Sequence, residues 1–524
     1  MDNHTKNKKL TEIFNGGLFK QIECIETRNF GDLDPIITGL EYDSRRVKSG
    51  NLYFALAGLH KDGHMFITDA IVRGAAVVIH QVPLLDYREH VVYIRVKDSR
   101  FSMSAVSTAF YGCPSEKLRC VGVTGTEGKS TTVFLIWQLL RLSGRRAGFI
   151  STVQASVGGE AEDNVEHQTT PEATVIHKRL AEMLENGVEF AVLETSSHGL
   201  SSRTNRLGDV IFTAGIMTNV THEHLEFHGT WEQYRSDKAN LFRKLSAEDG
   251  FGVVNADDQS CAYFAAATDR PVFTYSANPS SCADLFLVHI ESSANGNTYT
   301  VHVRETCESI TVWDNLPGAF NAGNVMAAIL TVSKLLSLPV RKVAELIPAV
   351  RPVRGRMTAV KKGQLFEVLV DYAHTPSSFQ TIFPPLRERV KGRIISLFGS
   401  PGERDTKKRP EQGRIAALYS DVVILTDEDP RGEVPMSILE EIAVGIPHRK
   451  RDHDLFLIPD RLLAIRKAFS LAREGDAVLL LGKGHENSII YADGPMPYDE
   501  IAEAEKALAE LLRDREWVQS EVKE

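Results

Sequence analysis

The sequence lacks the features that mark disulfide-bonded, membrane-spanning or nucleic-acid-binding proteins. Its 524 residues include only six cysteines, at positions 24, 113, 120, 261, 282 and 307, and none of them has the CxxC spacing of a zinc ribbon. No run of about 18 apolar residues occurs, and the N-terminal MDNHTKNKKL has no apolar segment of the kind that a secretory signal needs. The 60 Lys and Arg residues are outnumbered by 69 Asp and Glu residues, and this net charge of −9 disfavours nucleic acid as a general partner. We therefore expect a cytoplasmic protein with reduced thiols and no membrane span.

What is present is an ordinary globular composition in a long chain. Hydrophobic residues make up 43% of the sequence and charged residues 25%, which excludes a disordered or fibrous protein. Because domains usually contain roughly 100 to 200 residues, the chain should form about three. Changes in pattern at the Cys113-Pro114 and Arg351-Pro352 steps predict domains at residues 1–115, 116–350 and 351–524.

Apolar runs that alternate with helical stretches predict an α/β fold with mainly parallel sheets. In the first domain, residues 51–57 and 75–80 have strand patterns, and residues 65–73 between them have a helical one. In the second, a buried-strand pattern at residues 117–123 precedes a glycine-rich turn and a helix at residues 131–144. Further strand patterns of the second domain lie at residues 190–193, 210–217 and 251–254.

Four apolar runs of the third domain end abruptly in polar clusters. The runs and the clusters that follow them are 366–370 with DYAHTP, 394–398 with GSPGERD, 422–425 with TDEDPRGE, and 477–481 with LGKGHE. In open α/β sheets, ligands bind beyond the carboxyl ends of the strands. The four clusters therefore predict a second binding surface, in a Rossmann-like domain.

The strongest chemical motif is GVTGTEGKSTT at residues 122–132. A glycine-rich turn between a strand and a helix places backbone N–H groups and the helix N-terminus around phosphate. Lys129 would contact the β- and γ-phosphates, and the Ser130 hydroxyl would bind Mg²⁺. The motif departs from GxxxxGK[ST], since its glycines stand at positions 122, 125 and 128. The alternative is a plain glycine-rich turn with an exposed lysine.

The GxxGxxGK[ST] spacing resembles that of the Mur ligase family and its folylpolyglutamate synthetase relatives, and further motifs extend this resemblance over residues 40–490. The matching stretches are DSR (43–45), GNLYF (50–54), TTP (169–171), ETSSH (194–198), TN (218–219) leading to His224, YRSDK (234–238), GAFN (318–321), GRM (355–357), DYAHTP (371–376), RD (404–405), DPR (429–431) and GKGHE (482–486). The chain is most similar to the branch of the family that adds the third peptide residue to UDP-N-acetylmuramoyl-L-alanyl-D-glutamate.

This resemblance implies an ATP-dependent amide ligase of peptidoglycan precursor synthesis, and hence a role in cell-wall biogenesis, cell shape and cell division. It implies an N-terminal α/β domain that binds UDP, a central P-loop domain that binds ATP, and a C-terminal Rossmann-like domain that binds the incoming amino acid. The implied partners are UDP-N-acetylmuramoyl-L-Ala-D-Glu, ATP and a diamino acid, with two Mg²⁺ ions, and the protein is expected to be a monomer.

The family's nucleotide and catalytic residues match positions in both later domains. The ATP-binding set is Gly125, Thr126, Glu127, Gly128, Lys129, Ser130, Thr131, Asn321, Arg356, Asp371 and His374. The catalytic set is Lys129, Glu194, His224, Lys238 and Arg356, and the metal-binding set is Ser130, Glu194, His224 and Lys238. Arg356 suits a transferred phosphoryl group, and Glu194 offers the oxygen ligands that Mg²⁺ prefers; a helix-capping role is the alternative for Glu194.

Two of these assignments compete with other interpretations. His222, His224 and His228 suggest zinc, but HEHLEFH does not fit HExxH in any register. Lys238 would, without the resemblance, be interpreted as an exposed helical lysine. The family uses the matching lysine as a carbamate formed with CO₂, which places a carboxylate beside the metals.

The remaining matches concern the two other substrates. The muramoyl-dipeptide set is Ser44, Thr169, Thr170, Ser196 and Arg206, and the amino-acid set is Arg404, Glu428, Asp429, Pro430, Arg431, Gly482 and Glu486. In the family, DNPR accompanies meso-diaminopimelate, because its arginine binds the distal carboxylate that lysine lacks. Here the stretch is EDPR, so the arginine is kept while Asp429 replaces asparagine. We expect diaminopimelate, with lysine or ornithine as the alternative that an extra anion would favour.

Two rival functions remain at this stage. A folylpolyglutamate-synthetase-like ligase would share the ATP-binding core, but the N-terminal DSR stretch and the DPR and GKGHE motifs disfavour it. A nucleotide-binding regulator without ligase chemistry would bind ATP, yet would release no ADP in response to UDP-muramoyl dipeptide.

Overall fold

The computed structural model describes residues 7–58, 62–164, 168–221, 225–293 and 295–521. The chain divides into two compact units, the first comprising Met1–Tyr275 with Ala327–Leu338 and the second Ser276–Met326 with Pro339–Glu524. None of the described helices combines the length and the apolar character needed to cross a membrane.

The N-terminal part of the first unit is a five-stranded sheet covered by helices. Its elements are β1 (Lys8–Lys9), α1 (Leu10–Ile13), α2 (Gly16–Gln21), β2 (Cys24–Arg28), β3 (Ile36–Ile37), β4 (Gly39–Glu41), β5 (Asn51–Phe54), α3 (Ile67–Val72), β6 (Ala75–His80), β7 (Val92–Val96), α4 (Ser99–Tyr111) and α5 (Pro114–Lys117). The sheet order is β2-β7-β6-β5-β4, parallel except for β2. The helix predicted for residues 65–73 is shorter, because a 3₁₀ turn capped by Asp62 occupies Gly63–Phe66.

The rest of the first unit is a mainly parallel sheet with helices between its strands. Its elements are β8 (Arg119–Thr124), α6 (Lys129–Leu142), β9 (Ala147–Ile150), β10 (Gln154–Ser156), β11 (Glu162–Asp163), α7 (Ala173–Glu185), β12 (Phe190–Glu194), α8 (Ser197–Leu200), β13 (Ala214–Met217), α9 (Leu225–His228), α10 (Trp231–Arg243), β14 (Phe251–Asn255), α11 (Cys261–Ala265) and β15 (Val272–Ser276). Strands β9, β12, β8, β13, β14 and β15 run parallel in that order, and β10 and β11 add an antiparallel edge. Only the second half of the predicted run 210–217 is a strand.

This strand order determines what surrounds the glycine-rich turn. Strand β8, which leads into the turn, lies between β12 and β13. The register pairs Val123 with Glu194 on one side and Thr124 with Met217 on the other. The carboxyl ends of all three strands therefore meet beside residues 125–128.

The second unit contains an antiparallel three-stranded sheet and a six-stranded sheet. Its elements are β16 (Leu285–Ser293), β17 (Gly296–Val303), β18 (Glu308–Asp314), the first six residues of α12 (Asn321–Leu336), α13 (Val340–Ala344), β19 (Thr358–Ala359), β20 (Glu367–Asp371), α14 (Pro376–Arg389), β21 (Ile394–Phe398), α15 (Lys408–Tyr419), β22 (Val422–Leu425), α16 (Pro435–Ala443), β23 (Leu455–Leu457), α17 (Arg461–Leu471), β24 (Ala477–Leu481), β25 (Ser488–Tyr491), β26 (Gly494–Pro497) and α18 (Glu500–Glu521); the rest of α12 belongs to the first unit. The larger sheet has the order β19-β20-β24-β21-β22-β23 and is parallel except for β19.

Both faces of this larger sheet are buried under helices. Leu369 and Leu479 belong to one hydrophobic cluster, with α14, α15 and α16. Val370 and Leu480, the next residues along the same strands, belong to a second cluster with α17 and α18. Successive side chains of a strand point to opposite faces, so the strands read as continuous apolar runs. Strands β20, β24, β21 and β22 are neighbours and parallel, so the four polar clusters follow the strands at the same end of the sheet.

Candidate active site

The phosphate loop connects β8 to α6 and is shaped by two glycines. A Cβ at Gly125 would lie 1.8 Å from the Thr218 hydroxyl oxygen, so no larger residue fits there without a shift. Gly128 caps α6 in the left-handed conformation, with φ +82°. The Lys129 ammonium donates to the Thr126 carbonyl at 2.7 Å. The loop thus presents a helix N-terminus and a lysine folded over it, the arrangement that binds phosphate groups.

Two residues after β13 hold the loop in place. The Asn219 side-chain oxygen accepts from the Glu127 N–H at 2.8 Å and from the Thr126 N–H at 3.2 Å. The Thr218 hydroxyl donates to the Glu127 carbonyl at 2.6 Å. Thr218 and Asn219 were expected only as part of a motif, without a role of their own. Their contacts indicate that they fix the conformation of the loop.

Glu194 lies at the end of β12, directly against the start of α6. Its buried carboxylate accepts from the Ser130 hydroxyl at 3.0 and 3.1 Å and from the Thr152 N–H at 2.8 Å. The predicted neighbours Lys129, Ser130 and Glu194 are therefore brought together. Among the described residues, no cluster of three or more His, Cys, Asp or Glu side chains could hold a metal ion. The Ser130 hydroxyl and the Glu194 carboxylate lie together beside the loop.

Lys238 is buried, with 2% of its surface exposed. It lies on α10, as expected, but the interpretation as a surface residue is wrong. Its ammonium donates to the Gly125 carbonyl and lies 4.6 Å from the centre of the Tyr234 ring. The Tyr234 hydroxyl in turn hydrogen-bonds the Thr126 hydroxyl at 3.0 Å. A lysine on a distant helix therefore reaches the phosphate loop.

His228 contacts a serine and an aspartate. Its Nδ1 lies 2.7 Å from the Asp237 carboxylate and its Nε2 3.1 Å from the Ser197 hydroxyl. The contacts have the order of a serine-hydrolase triad, but all three residues are buried. The histidine instead connects α9 and α10 to the start of α8. His222 and His224, including the predicted metal ligand, lie outside the described residues.

Three of the predicted dipeptide-binding residues, Thr170, Ser196 and Arg206, form one connected group. The Thr170 hydroxyl donates to the Glu194 carbonyl at 2.9 Å and lies 3.0 Å from the Ser196 hydroxyl. Arg206 donates to the Thr170 carbonyl at 2.8 Å and to the Glu172 carboxylate at 3.0 Å. Thr169, half-buried, precedes this group. Ser44 is buried separately, in the 3₁₀ turn Ser44–Arg46 that follows β4.

In the second unit, two predicted nucleotide-binding residues, Asp371 and Arg356, lie close together near the end of β20. The Asp371 carboxylate accepts from the Met357 and Ala373 N–H groups, each at 2.7 Å. Burial raises the pKa of Asp371, and the neighbouring Arg356 charge counteracts this rise. The Arg356 guanidinium lies 4.8 Å from the centre of the Tyr372 ring.

The two other predicted nucleotide-binding residues of this unit have local contacts. The His374 Nδ1 lies 2.9 Å from the Tyr372 carbonyl, which orients the ring. Asn321 begins α12, and its amide donates to the Pro317 carbonyl at 2.9 Å.

Two of the predicted amino-acid-binding residues, Asp429 and Glu486, contact Lys483, to which the motif assigned no role. The Lys483 ammonium is fully buried and donates to Asp429 at 2.8 Å and to Glu486 at 2.5 Å. Asp429 also accepts from the Ile490 N–H at 2.9 Å. The negative charge that Asp429 adds relative to asparagine is therefore paired with the positive charge of Lys483.

Two side chains of this group retain unused hydrogen-bonding capacity among the described residues. Glu428 is 6% exposed, and its Oε2 has no hydrogen-bond partner. Burial raises the pKa of Glu428 to about 7. The buried Nε of Arg431 also has no partner. Gly482 packs beside Glu428, Pro430 is buried, and Arg404 is exposed.

Three family models match the chain. A Mur ligase family catalytic-domain model matches residues 36–111, a Mur ligase middle-domain model residues 123–332, and a Mur ligase glutamate-ligase-domain model residues 355–484. A protein of Treponema denticola named UDP-N-acetylmuramyl-tripeptide synthetase is 51% identical over 514 residues, which cover 93% of this chain and 97% of the relative.

More distant relatives bear related names. The UDP-N-acetylmuramoyl-L-alanyl-D-glutamate–2,6-diaminopimelate ligase of Geobacillus kaustophilus is 37% identical over 482 residues, covering 91% of this chain and 96% of the relative. A solved structure with that same enzyme name superposes with a TM-score of 0.62 at 27% identity, covering 91% of this chain and 95% of the other.

These similarities extend over nearly the whole length of the chain and of its relatives. They confirm the expected α/β fold with N-terminal, P-loop and C-terminal domains. They also favour an enzyme over a non-catalytic nucleotide-binding regulator. The chain belongs to the Mur ligase family and is an ATP-dependent ligase of the MurE type.

Proposed function

We propose that the protein joins the D-glutamate γ-carboxylate of UDP-N-acetylmuramoyl-L-Ala-D-Glu to an amine of a diamino acid, in peptidoglycan precursor synthesis in the cytoplasm. The γ-phosphoryl group of ATP passes to the carboxylate, and ADP leaves. The amine then attacks the acyl carbon and loses a proton. The bond between the acyl carbon and the phosphate oxygen breaks, and inorganic phosphate leaves. The observation that carries this proposal is the grouping of Lys129, Ser130 and Glu194 at one phosphate loop.

Magnesium fits the donors beside the loop. The Ser130 hydroxyl and the Glu194 carboxylate are the hard oxygen ligands that Mg²⁺ prefers, and they already lie in contact. Bound there, Mg²⁺ would neutralise charge on the phosphoryl group. Ser130 and Glu194 would hold one ion, and His224 would approach the second.

Lys238 fits the same site only after a change in its charge. An ammonium has no lone pair for a metal and repels one electrostatically. Reaction of the neutral amine with CO₂ forms an N–C bond, releases a proton and yields a carbamate with two carboxylate-like oxygens. We propose this carbamate as the ligand that Lys238 supplies, because the side chain is buried against the phosphate loop.

The substrates divide among three proposed domains. Residues 1–115 would bind the uridine diphosphate through Ser44 and its neighbours, and residues 116–350 would bind ATP. Thr169, Thr170, Ser196 and Arg206 would position the muramoyl dipeptide, and residues 351–524 would bind the incoming amino acid. Asn321, Arg356, Asp371 and His374 would complete the contacts to the nucleotide and its phosphates.

We propose meso-diaminopimelate as the incoming amino acid, on the strength of Arg431. Its buried Nε has no hydrogen-bond partner among the described residues. A guanidinium with a donor to spare suits a carboxylate, which it binds through two parallel hydrogen bonds. Arg404 would be the second carboxylate-binding group, and Glu486 and Gly482 would lie at the amine.

One observation favours lysine or ornithine instead. The Glu428 carboxylate, buried and without a partner on Oε2, would accept from a terminal ammonium. The Asp429 side chain has no N–H that could donate to a distal carboxylate, unlike the side chain of the asparagine in DNPR. An amine-ended side chain would therefore form a charged hydrogen bond with Glu428, just as the distal carboxylate of diaminopimelate would form one with Arg431.

Phosphate release with UDP-N-acetylmuramoyl-L-Ala-D-Glu and ATP tests the proposal. We expect release to require one member of the set diaminopimelate, lysine and ornithine, and mass spectrometry of the product to show one added residue. Competition among the three at equal concentration identifies the third residue. If none of the three amino acids supported phosphate release, the diamino-acid assignment would be overturned. Incorporation of lysine or ornithine alone would overturn the proposal that diaminopimelate is the third residue.

Substitutions at positions 431 and 428 should change the selectivity in opposite directions. Arg431→Ala is expected to raise the KM for diaminopimelate by about 10- to 100-fold, since a charged hydrogen bond contributes roughly 1.5–3 kcal/mol. Glu428→Gln is expected to lower kcat/KM for lysine and ornithine more than kcat/KM for diaminopimelate. The check is kcat/KM for each amino acid in each variant. Equal losses for all three amino acids in Arg431→Ala would contradict a distal-carboxylate role.

A further inference from the structure

Arg461 lies buried behind the two loops that carry the proposed amino-acid site. It is the first residue of α17, and 2% of its surface is exposed. Its Nη1 donates to the Asp427 carbonyl at 2.9 Å, and its Nη2 donates to the Leu481 carbonyl at 2.8 Å. These carbonyls immediately precede Glu428 and Gly482. One guanidinium thus contacts both loops at their origin.

The two loops leave strands that do not touch each other. Asp427 follows β22 and Leu481 ends β24, and the sheet order places β21 between those strands. No ladder hydrogen bond therefore fixes the spacing between the two loops directly. Arg461 makes that connection across the end of β21.

The guanidinium is itself held in a fixed orientation. Glu500, fully buried at the start of α18, accepts from Nε at 2.8 Å and from Nη2 at 2.9 Å. The Tyr498 hydroxyl donates to the same carboxylate at 2.9 Å. Four of the five guanidinium N–H groups are used, in a planar arrangement that a lysine ammonium cannot reproduce.

On the ligand side, Lys483 joins the same two loops. Its ammonium bridges Asp429 of one loop and Glu486 of the other. The loops are thus tied together at two levels, by Arg461 at their base and by Lys483 near their proposed ligand-binding groups. Weakening the base would alter the distance between Glu428 and Arg431 on one side and Gly482 and Glu486 on the other.

We propose that Arg461, clamped by Glu500, is a positioning residue that fixes the spacing of the two halves of the amino-acid subsite. The inference rests on the proposed assignment of residues 428–431 and 482–486 to the incoming amino acid. Arg461 touches no substrate in this proposal. It acts through two main-chain carbonyls, whose positions set those of the side chains that follow.

Arg461→Lys is the direct test, with the full-length protein and all three substrates. We expect the KM for the incoming amino acid to rise by about tenfold, because small displacements of positioning groups have large effects. The KM for ATP should stay within about twofold of the wild-type value. A residue that only stabilises the fold would lower the amount of active protein, and therefore the apparent kcat, without changing the KM. Glu500→Gln, which keeps one oxygen acceptor for the guanidinium, should give a smaller rise.

Arg393 provides a matched control at the opposite end of the strands of the same sheet. It precedes β21, and it donates to the Asp476 carboxylate at 2.7 and 3.1 Å and to the Leu471 carbonyl at 2.7 Å. Arg393→Lys therefore removes the same type of clamp, far along the strands from the loops. We expect it to lower the melting temperature while leaving the KM for the amino acid unchanged.

Hydrogen–deuterium exchange of the substrate-free proteins separates this inference from the assignment of the third residue. The backbone amides of Glu428, Asp429 and Arg431 and of residues 482–486 should exchange faster in Arg461→Lys and at the wild-type rate in Arg393→Lys. Unchanged exchange in both loops, or an amino-acid KM equal to that of the wild type, would overturn the positioning role, whichever amino acid the enzyme uses. Failure of all three diamino acids in the wild type would overturn the substrate proposal, and the exchange measurement would still decide the role of Arg461.

Discussion

A Lys129→Met variant is expected to release phosphate about a thousandfold more slowly than the wild-type protein, because removal of one charged group that stabilises a phosphoryl-transfer transition state has effects of this order. In the structure, the Lys129 ammonium donates to the Thr126 carbonyl within the loop. When ATP binds, its phosphate oxygens would take the place of that carbonyl as the hydrogen-bond acceptors of Lys129. Methionine keeps the length and the apolar part of the side chain but loses the charge. The measurement is kcat for phosphate release at saturating substrates.

The control for Lys129→Met is Lys178→Met. Lys178 lies on α7 of the same unit, and its side chain is 56% exposed in an ion pair with Glu182. Exposed pairs of this type contribute little to stability, so this variant should keep full activity. A Lys129→Met protein with activity near that of the Lys178→Met control would contradict the assignment of the loop to ATP.

The fold was most predictable where strands are buried on both faces. Three such strands were expected and are present in the structure, at residues 394–398, 422–425 and 477–481. Parallel strands with helices on both sides read as uninterrupted apolar runs. The antiparallel strands β16, β17 and β18 had no such signal, because exposed residues such as Val288 and Trp313 interrupt the buried ones. Their pairing is set by contacts between strands and not by the composition of any one run.

The candidate site was predictable where one short motif contains several of its members. Lys129 and Ser130 are adjacent in the sequence, and Glu194 ends a strand whose apolar run marks it. The burial of Lys238 had no comparable signal, since α10 is mostly polar and its inward face becomes evident only when it packs. Asn219, Lys483 and Arg461 are similar cases. Each acts through contacts with chain segments 20 to 92 residues away.

Lys238 carries the second large expected effect, and its chemistry differs from that of Lys129. The proposed function needs Lys238 as an anion, although lysine is normally a cation. The form that reacts is the neutral amine, whose nitrogen lone pair attacks the carbon of CO₂. The neighbouring Gly125 carbonyl and Tyr234 ring place the nitrogen at the base of the phosphate loop.

Lys238→Ala is therefore expected to lower kcat by about a thousandfold, the order of loss found when a group that stabilises transition-state charge is removed, and added acetate or formate should restore part of it. A small carboxylate can enter the space that the missing side chain leaves and supply the lost oxygens. Acetate should not restore Lys129→Met, because that variant lacks a cation, so the two variants serve as controls for each other. The wild-type protein should lose activity in CO₂-free buffer and regain it with bicarbonate. Full activity after CO₂ removal, together with no rescue of Lys238→Ala by either acid, would show that Lys238 acts as an amine.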